Sequence, residues 1–244
     1  MGQHGTPDWW GQGRKPTTYA LNDMAELAVR LGSVVNYDRT GEVLWLAGFA
    51  NGGQPLGYSN LGDPGSVSLS ALYPHTGSSC LLITTAPTSG SGVQVFKYLR
   101  YPSGVGIGLE VTFAGDDTAS YIEFEIVLYD GNYYRINRLR YSQADSSWDL
   151  LYGLTDYERL AVQQIGVYQA QVYNTIKLVV DTVLHTYQQV QVNDVRYSTI
   201  TTTPYSTAST SQRLMIVSIR VYTGSDAATS LRIDNLIVTQ NEPV

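Results

Sequence analysis

The chain has 244 residues, 43% of them hydrophobic, which is enough for a packed core and sets it apart from disordered chains. With 15 Lys and Arg against 21 Asp and Glu the net charge is −6, so a general attraction to nucleic acid or to an anionic membrane surface is unfavourable. Cys80 is the single cysteine, which excludes an intrachain disulfide, and no apolar run approaches the ~18 residues that cross a bilayer.

The first 18 residues mix Gly, Pro and Gln with the pair Trp9 and Trp10, a segment too polar and too broken to form its own core. Leu21, Met24, Ala25, Leu27, Ala28 and Leu31 then recur at three- and four-residue spacing, with Asn22 or Asp23 to cap the start and Gly32 to end it. This predicts one short amphipathic helix over 21–31 within an arm of residues 1–45. A stripe of about three turns is unstable alone in water and must lie against the body or a neighbouring subunit. "MGQHGTPDWWGQGRKP" has no apolar h-region and no Asn starts a glycosylation acceptor, so assembly in a cytoplasm without a signal peptide is expected.

From there the pattern is strand and turn. Short runs at 33–38 and 42–46 flank the turn Asp38, Arg39, Thr40, Gly41. Further strands are predicted at 66–71, 79–84, 92–98, 108–113, 120–129, 133–141, 148–152, 160–165, 175–180, 187–192, 195–197, 214–222 and 231–239. Turn residues punctuate them at Asp63 to Gly65, Ser89 to Gly92, Asp130 to Asn132 and Gly224 to Asp226. In "KLVVDTVLHTYQQVQVNDVRYS", Ile176, Leu178 and Val180 share a parity, as do Val190 and Val192, which reads as a hairpin with one buried face. "STITTTPYSTASTS", 198–211, lacks an apolar stripe and reads as a long exposed loop. So many strands with hardly a helix between them exclude a parallel βαβ fold; they predict an all-β, two-sheet antiparallel sandwich over 46–240.

That hairpin, with Asp181 ending one strand, Tyr187 opening the next and an Asn193-Asp194 turn, resembles the hairpin of laminin-G-like and concanavalin-A-like jelly rolls. "LRIDNLIVTQ" resembles the last strand of carbohydrate-binding jelly-roll modules. "GTPDWWG" and "YALNDMAELAVRLGSVVNYDRTGEVLWLAGF" ahead of such a body resemble a type of tailed-phage virion protein in which a short helical arm precedes a sandwich.

Retaining glucanases of the fold place their acids on one strand as Glu-x-Asp-x-x-Glu or Glu-x-Asp-x-Glu, because two carboxylates must flank the bond at roughly 5–5.5 Å. Here Glu123 and Glu125 share a face, but Ile126, Val127 and Leu128 stand where the second acid belongs, so a solvated acidic face is favoured and no catalytic residue is assigned. Arg138 and Arg140 likewise read as a solvated face, with Arg135 opposite. His4, His75 and His185 lack partners at metal spacing, and "GVGIG" at 104–108 lacks the strand and helix of a phosphate cradle. No cofactor is expected; the resemblance makes Asp234 a weak calcium candidate, with Ala50 where its Glu partner is expected, and Asp116 and Asp117 are turn carboxylates. Cys80, in the run Cys80 to Ile83, reads as a small buried hydrophobe.

The 19 Tyr against 4 Phe and 4 Trp suit wet contact surfaces, either sugar platforms or subunit interfaces. Tyr133, Tyr134, Trp148 and Tyr152 are the candidate platform. With the arm, the helix and the missing chemistry, these features lead to the expectation of a non-enzymatic virion surface protein, of capsid-decoration type. It would be homo-oligomeric and would contact the major capsid protein or other virion subunits through Trp9, Trp10, Leu21, Met24, Leu27 and Leu31. A lectin-like carbohydrate-binding module is the alternative, and a glycosidase comes third.

Overall fold

The computed structural model describes residues 41–49, 56–116, 118–166, 172–197, 200 and 202–242. Trp9, Trp10, the helix predicted over 21–31 with Leu21, Met24, Leu27 and Leu31, and the strand predicted over 33–38 lie outside the described residues. Within them the chain forms sixteen strands and no helix. These are β1 (Glu42–Gly48), β2 (Gly57–Leu61), β3 (Ser66–Ser70), β4 (Cys80–Thr84), β5 (Gly92–Arg100), β6 (Gly106–Gly115), β7 (Ala119–Tyr129) and β8 (Tyr133–Ser142). The remainder are β9 (Ser147–Leu151), β10 (Tyr157–Val162), β11 (Asn174–Asp181), β12 (Thr186–Val192), β13 (Val195–Tyr197), β14 (Tyr205–Ala208), β15 (Leu214–Thr223) and β16 (Ser230–Gln240).

They make two eight-stranded sheets. The first runs β13, β12, β11, β6, β16, β4, β3, with β1 also on β16; the second runs β10, β9, β8, β7, β15, β5, β2, with β14 also on β8. Neighbouring strands are antiparallel throughout, as the predicted fold class requires.

Alternation builds the core between the sheets. Ile107, Leu109, Val111 and Phe113 of β6 and Ile176, Leu178 and Val180 of β11 point inward from the first sheet. Ile122, Phe124, Ile126 and Leu128 of β7 and Met215, Val217, Ile219 and Val221 of β15 meet them from the second. The rings of Phe113 and Phe124 touch across the gap with centroids 5.0 Å apart. Each aliphatic or aromatic side chain withdrawn from water here contributes about 1.5–3 kcal/mol. Cys80 is among the buried residues, as its apolar neighbours suggest.

The predicted hairpin is present, with Leu178 opposite Val190 and Ile176 opposite Val192. Tyr187, which opens β12, crosses the core to the other sheet. Its hydroxyl donates to the carbonyl of Leu151 at 2.8 Å and accepts from the N–H of Arg138 at 3.0 Å. Continuing the β8–β9 register from Leu139 opposite Leu150 sets Arg138 against Leu151, so the phenol occupies the next step of that ladder.

Several expectations are corrected. The segment 198–211 is not loop throughout: β14 pairs with β8, Tyr205 opposite Ile136 and Ala208 opposite Tyr133. β2 was not expected, and like β14 it is a short outer strand without an apolar stripe. β10 lies three residues earlier than the 160–165 expected, with a bulge between Arg159 and Ala161. β11 is buried on both faces, because Lys177 on its outer side pairs with Glu110 at 3.1 Å and Glu242 at 2.9 Å.

Candidate functional site: the outer face of the second sheet

The inward parity of the second sheet is apolar; the outward parity carries chemistry. Glu123 stands opposite Arg140 and Glu125 opposite Arg138 on the β7–β8 hairpin. On the other side of β7, Arg220 faces Glu123 and Ser218 faces Glu125. Asp149 faces Arg140 from β9, and Arg159 faces Asp149 from β10. One row perpendicular to the strands thus reads Arg159, Asp149, Arg140, Glu123, Arg220, with the sign of charge alternating at every step.

Glu125 is fully engaged. One oxygen takes the Arg138 Nε and Nη2 donors at 2.8 and 2.5 Å, and the other takes Ser218 Oγ at 3.0 Å and Arg220 Nη2 at 2.9 Å. Glu123 is engaged on one side only. Its Oε1 accepts from the Tyr157 hydroxyl at 2.8 Å, while Oε2 has Arg138 Nε at 3.6 Å and Arg220 Nη1 at 3.7 Å but no hydrogen-bond partner. Tyr157 in turn accepts from Arg138 Nη1 at 2.9 Å, so its hydroxyl bridges a guanidinium and a carboxylate. Arg140 holds Asp149 at 3.2 Å and lies over two rings, 3.5 Å from the centroid of Tyr157 and 4.8 Å from that of Tyr121.

Glu123 is 5% exposed and Glu125 1%, which corrects the expectation of a solvated acidic face. Long Arg and Tyr side chains lie beside the carboxylates and carry their charge. Arg138 and Arg140 do share a face, as predicted, but it is not a solvated one. Arg135 points the other way and pairs with Asp130. Burial works against the Arg138 proton, yet Glu125 and Glu123 together hold its pKa above the usual guanidinium range. Burial, reinforced by Glu123, pushes the Tyr157 phenol up to about 12, so it stays protonated and remains a donor.

Tyrosines flank the charged centre at both ends. Tyr121 and Tyr222 stand at one end on the outward parity and Tyr98, Tyr129 and Tyr134 towards the other, while Tyr157 lies in the Glu125–Arg138 row between them. The rings of Tyr129 and Tyr134 meet at 4.8 Å. Burial, with Glu125 and Tyr129 adding to it, pushes Tyr134 up to about 12.

Of the predicted platform, Tyr134 belongs to this surface. Tyr133 is 47% exposed beside the Arg135 guanidinium, and Tyr152 is 50% exposed just beyond β9. Trp148 is 0% exposed, packed in the core against Tyr141 and Phe124, and offers no face to a ligand. Asp234, the calcium candidate, is engaged with its own surroundings. One carboxylate oxygen accepts from the His75 N–H, the other from the Thr76 N–H, the Thr76 hydroxyl and Asn235 Nδ2. Asp116 is likewise spent on Thr118 and the Ser230 N–H; Asp117 lies outside the described residues.

Arg220, Tyr157 and Asp149 were not predicted as site residues. The hairpin pairs depend on Tyr129 standing opposite Tyr134, which sets Glu125 against Arg138; centring the turn on Asp130, Gly131, Asn132 misses that register by one residue. The contacts to Tyr157 and Arg220 join strands distant in sequence, and nothing local announces them.

No family model matches the sequence. No curated protein matches it either. Solved structures do. An endo-β-1,4-glucuronan lyase from the fungus Trichoderma reesei aligns with 82% of this chain and 96% of its own at 13% identity and a TM-score of 0.56. The Emp47p carbohydrate recognition domain aligns with 80% and 94% at 14% identity and a TM-score of 0.49. The Bacillus licheniformis β-glucanase aligns with 83% and 100% at 12% identity and a TM-score of 0.45. The chain folds as a concanavalin-A-like jelly roll. Identities this low show the jelly roll alone. The expectation that the protein is no enzyme does not stand, because the glucuronan lyase it resembles shows that this fold serves an enzyme.

Proposed function

We propose that this jelly roll recognises carbohydrate and that the outer face of its second sheet is the binding surface. The observation that carries this is the central row. Arg140 Nε, Glu123 Oε2 and Arg220 Nε are adjacent across three strands, and all three are buried polar atoms without a hydrogen-bond partner. Each such atom costs about 1–3 kcal/mol. A fold shaped for stability alone has no use for three in a line, whereas sugar hydroxyls both donate and accept and so suit a row that mixes donors with an acceptor. Tyrosines at both ends supply the apolar faces on which pyranose rings stack.

The names of the similar structures, a carbohydrate recognition domain and two polysaccharide-acting enzymes, support this reading over a virion role. Glu123 is the carboxylate placed to exchange a proton with a bound glycan, since Glu125 has both oxygens engaged. A glycan array covering neutral and uronate-containing oligosaccharides, followed by calorimetry on the hits, tests the proposal. Binding should fall at least tenfold in Tyr157→Ala and in Arg140→Ala. Wild-type protein that retains no glycan, or hits that both variants bind undiminished, would overturn it. Incubating the hits and following chain length reads cleavage in the same samples, with Glu123→Gln as the control.

A further inference from the structure

The ion network at the centre of the outer face is balanced. Arg138, Arg140, Arg159 and Arg220 meet Glu123, Glu125, Asp145 and Asp149, four cations against four anions. Two further arginines at one end of the second sheet have no such partners. Arg100 closes β5 two residues after Tyr98, so it shares the outward parity of that tyrosine, which is 60% exposed. Leu214 stands opposite Arg100 on one side and opposite Tyr129 on the other, which places Arg100 two strands from Tyr129 at the tyrosine-rich end of the face. Arg213 comes just before β15, and its guanidinium lies over the Tyr101 ring, 4.5 Å from the centroid.

Arg100 and Arg213 line one cleft of about 390 Å³, together with Tyr101, Pro102 and Ser103. Both arginines are exposed, and among the described residues neither forms an ion pair. Two carboxylates come near, and both are committed elsewhere. Asp130, whose charge is felt at Tyr101, is paired with Arg135 and accepts from the Asn132 and Tyr133 N–H groups at 2.8 and 2.7 Å. Glu42 accepts from the Gln240 amide at 3.1 Å, and the oxygen of that amide accepts from the Ser103 hydroxyl at 3.5 Å. A chain of net charge −6 thus keeps two uncompensated guanidinium groups at one cleft. Stacking on Tyr101 fixes the plane of the Arg213 fork, and a fork of fixed plane suits the paired oxygens of a carboxylate or sulfate.

We infer that this cleft is an anion subsite of the glycan-binding face, so that the ligand is an acidic glycan whose carboxylate or sulfate group is held by Arg100 and Arg213 while its rings lie on the neighbouring tyrosines. This rests on the outer face being a carbohydrate surface, and it adds the sign of the ligand's charge and the place where that charge is met.

Glycans matched in backbone and length, one neutral, one carrying uronates and one carrying O-sulfates, separate the charge from the sugar. On an array at low salt, wild type should hold an acidic member about tenfold more tightly than its neutral match, and the advantage should shrink as salt is raised. The uronate and sulfate arms identify which acid is preferred. Joint replacement Arg100→Gln with Arg213→Gln should bring acidic and neutral members to one affinity while leaving the neutral member unchanged, which also shows that the variant is folded. Arg100→Lys with Arg213→Lys, which keeps both charges, should retain part of the salt-sensitive advantage. Tyr157→Ala, at the centre of the face, should weaken acidic and neutral members alike. Neutral members bound as tightly as acidic ones, or a double Gln variant that keeps the acidic preference, would overturn the anion subsite and leave the carbohydrate face standing. No glycan bound at all would overturn both.

Discussion

Replacing Tyr187 by Phe removes one oxygen and leaves the ring. That oxygen accepts from the N–H of Arg138 and donates to the carbonyl of Leu151 where β8 and β9 separate, at 3.0 and 2.8 Å. Tyr187 is 1% exposed, so water does not replace it. Each orphaned buried group costs about 1–3 kcal/mol, which gives ~2–6 kcal/mol for the pair if the strands stay where they are. In urea, with m of about 2 kcal/mol/M, the midpoint should fall by roughly 1–3 M at unchanged m. Thermal unfolding should drop by about 4–24 °C, taking roughly 2–4 °C per kcal/mol for a domain of this size. The Arg138 backbone sits under the charged face, so glycan affinity should fall with stability in this variant although residue 187 lies in the core. A urea midpoint within roughly 0.3 M of wild type would refute the reasoning, since β8 and β9 would then have closed and paired directly at little cost.

Other perturbations follow from the same geometry. Arg138→Ala leaves Glu123 and Glu125 with Arg220 as the one remaining guanidinium, and should destabilise by about 3–5 kcal/mol in urea unfolding; adding Glu125→Gln should restore part of the loss. At the β7–β8 turn, burial raises the Asp130 carboxyl, but the Arg135 guanidinium and the Asn132 and Tyr133 N–H groups outweigh it and hold the pKa at about 2. A folded pKa below the ordinary 3.8 gives stability that is present above pH ~4 and is lost as pH falls towards 2. The difference in stability between wild type and Asp130→Asn should therefore shrink across that window, and a constant difference from pH 6 to 2 would count against it. Asp234→Asn keeps the shape but trades charge-assisted bonds for neutral ones at about 1 kcal/mol each, so amide exchange at His75 and Thr76 should speed up roughly five- to tenfold.

What the sequence revealed follows from the range over which each signal acts. Strands with an apolar stripe, such as β7 and β15, announce themselves because every second residue is withdrawn from water. β2, with Tyr58, Ser59 and Asn60, and β14, with Ser206 and Thr207, are held by backbone ladders at the side of the sheet and carry no stripe, so periodicity passes over them. Trp148 looked like a platform because "SWDLL" has no readable parity: all five residues of β9 are buried, the inward ones by the core and the outward ones by the ion network. Glu123, Glu125, Arg138 and Arg140 were read as solvated strand by strand, yet charges on facing strands neutralise one another once the register is known. The same pairing hid in β11, where Lys177 sits between Glu110 and Glu242.

Burial of a complete ion network is weak grounds for stability, since hydrophobic replacements of similar volume often serve as well or better. That matters for how the outer face is understood. If its purpose were to finish the sheet, Val or Thr on the outward parity of β7, β8, β9 and β15 would do so without desolvating three carboxylates and three guanidinium groups. The network instead fixes orientation: Glu125 locks Arg138 and Arg220 from both sides, Tyr157 is held between Arg138 and Glu123, and Arg140 is pinned between Asp149 and two rings. Groups held this way lose little further freedom when a ligand arrives, and lower ordering cost is what allows a shallow polar surface to bind sugars. The core takes part, because Tyr187 reaches through it to hold the backbone of Arg138, the residue on which both carboxylates and Tyr157 converge.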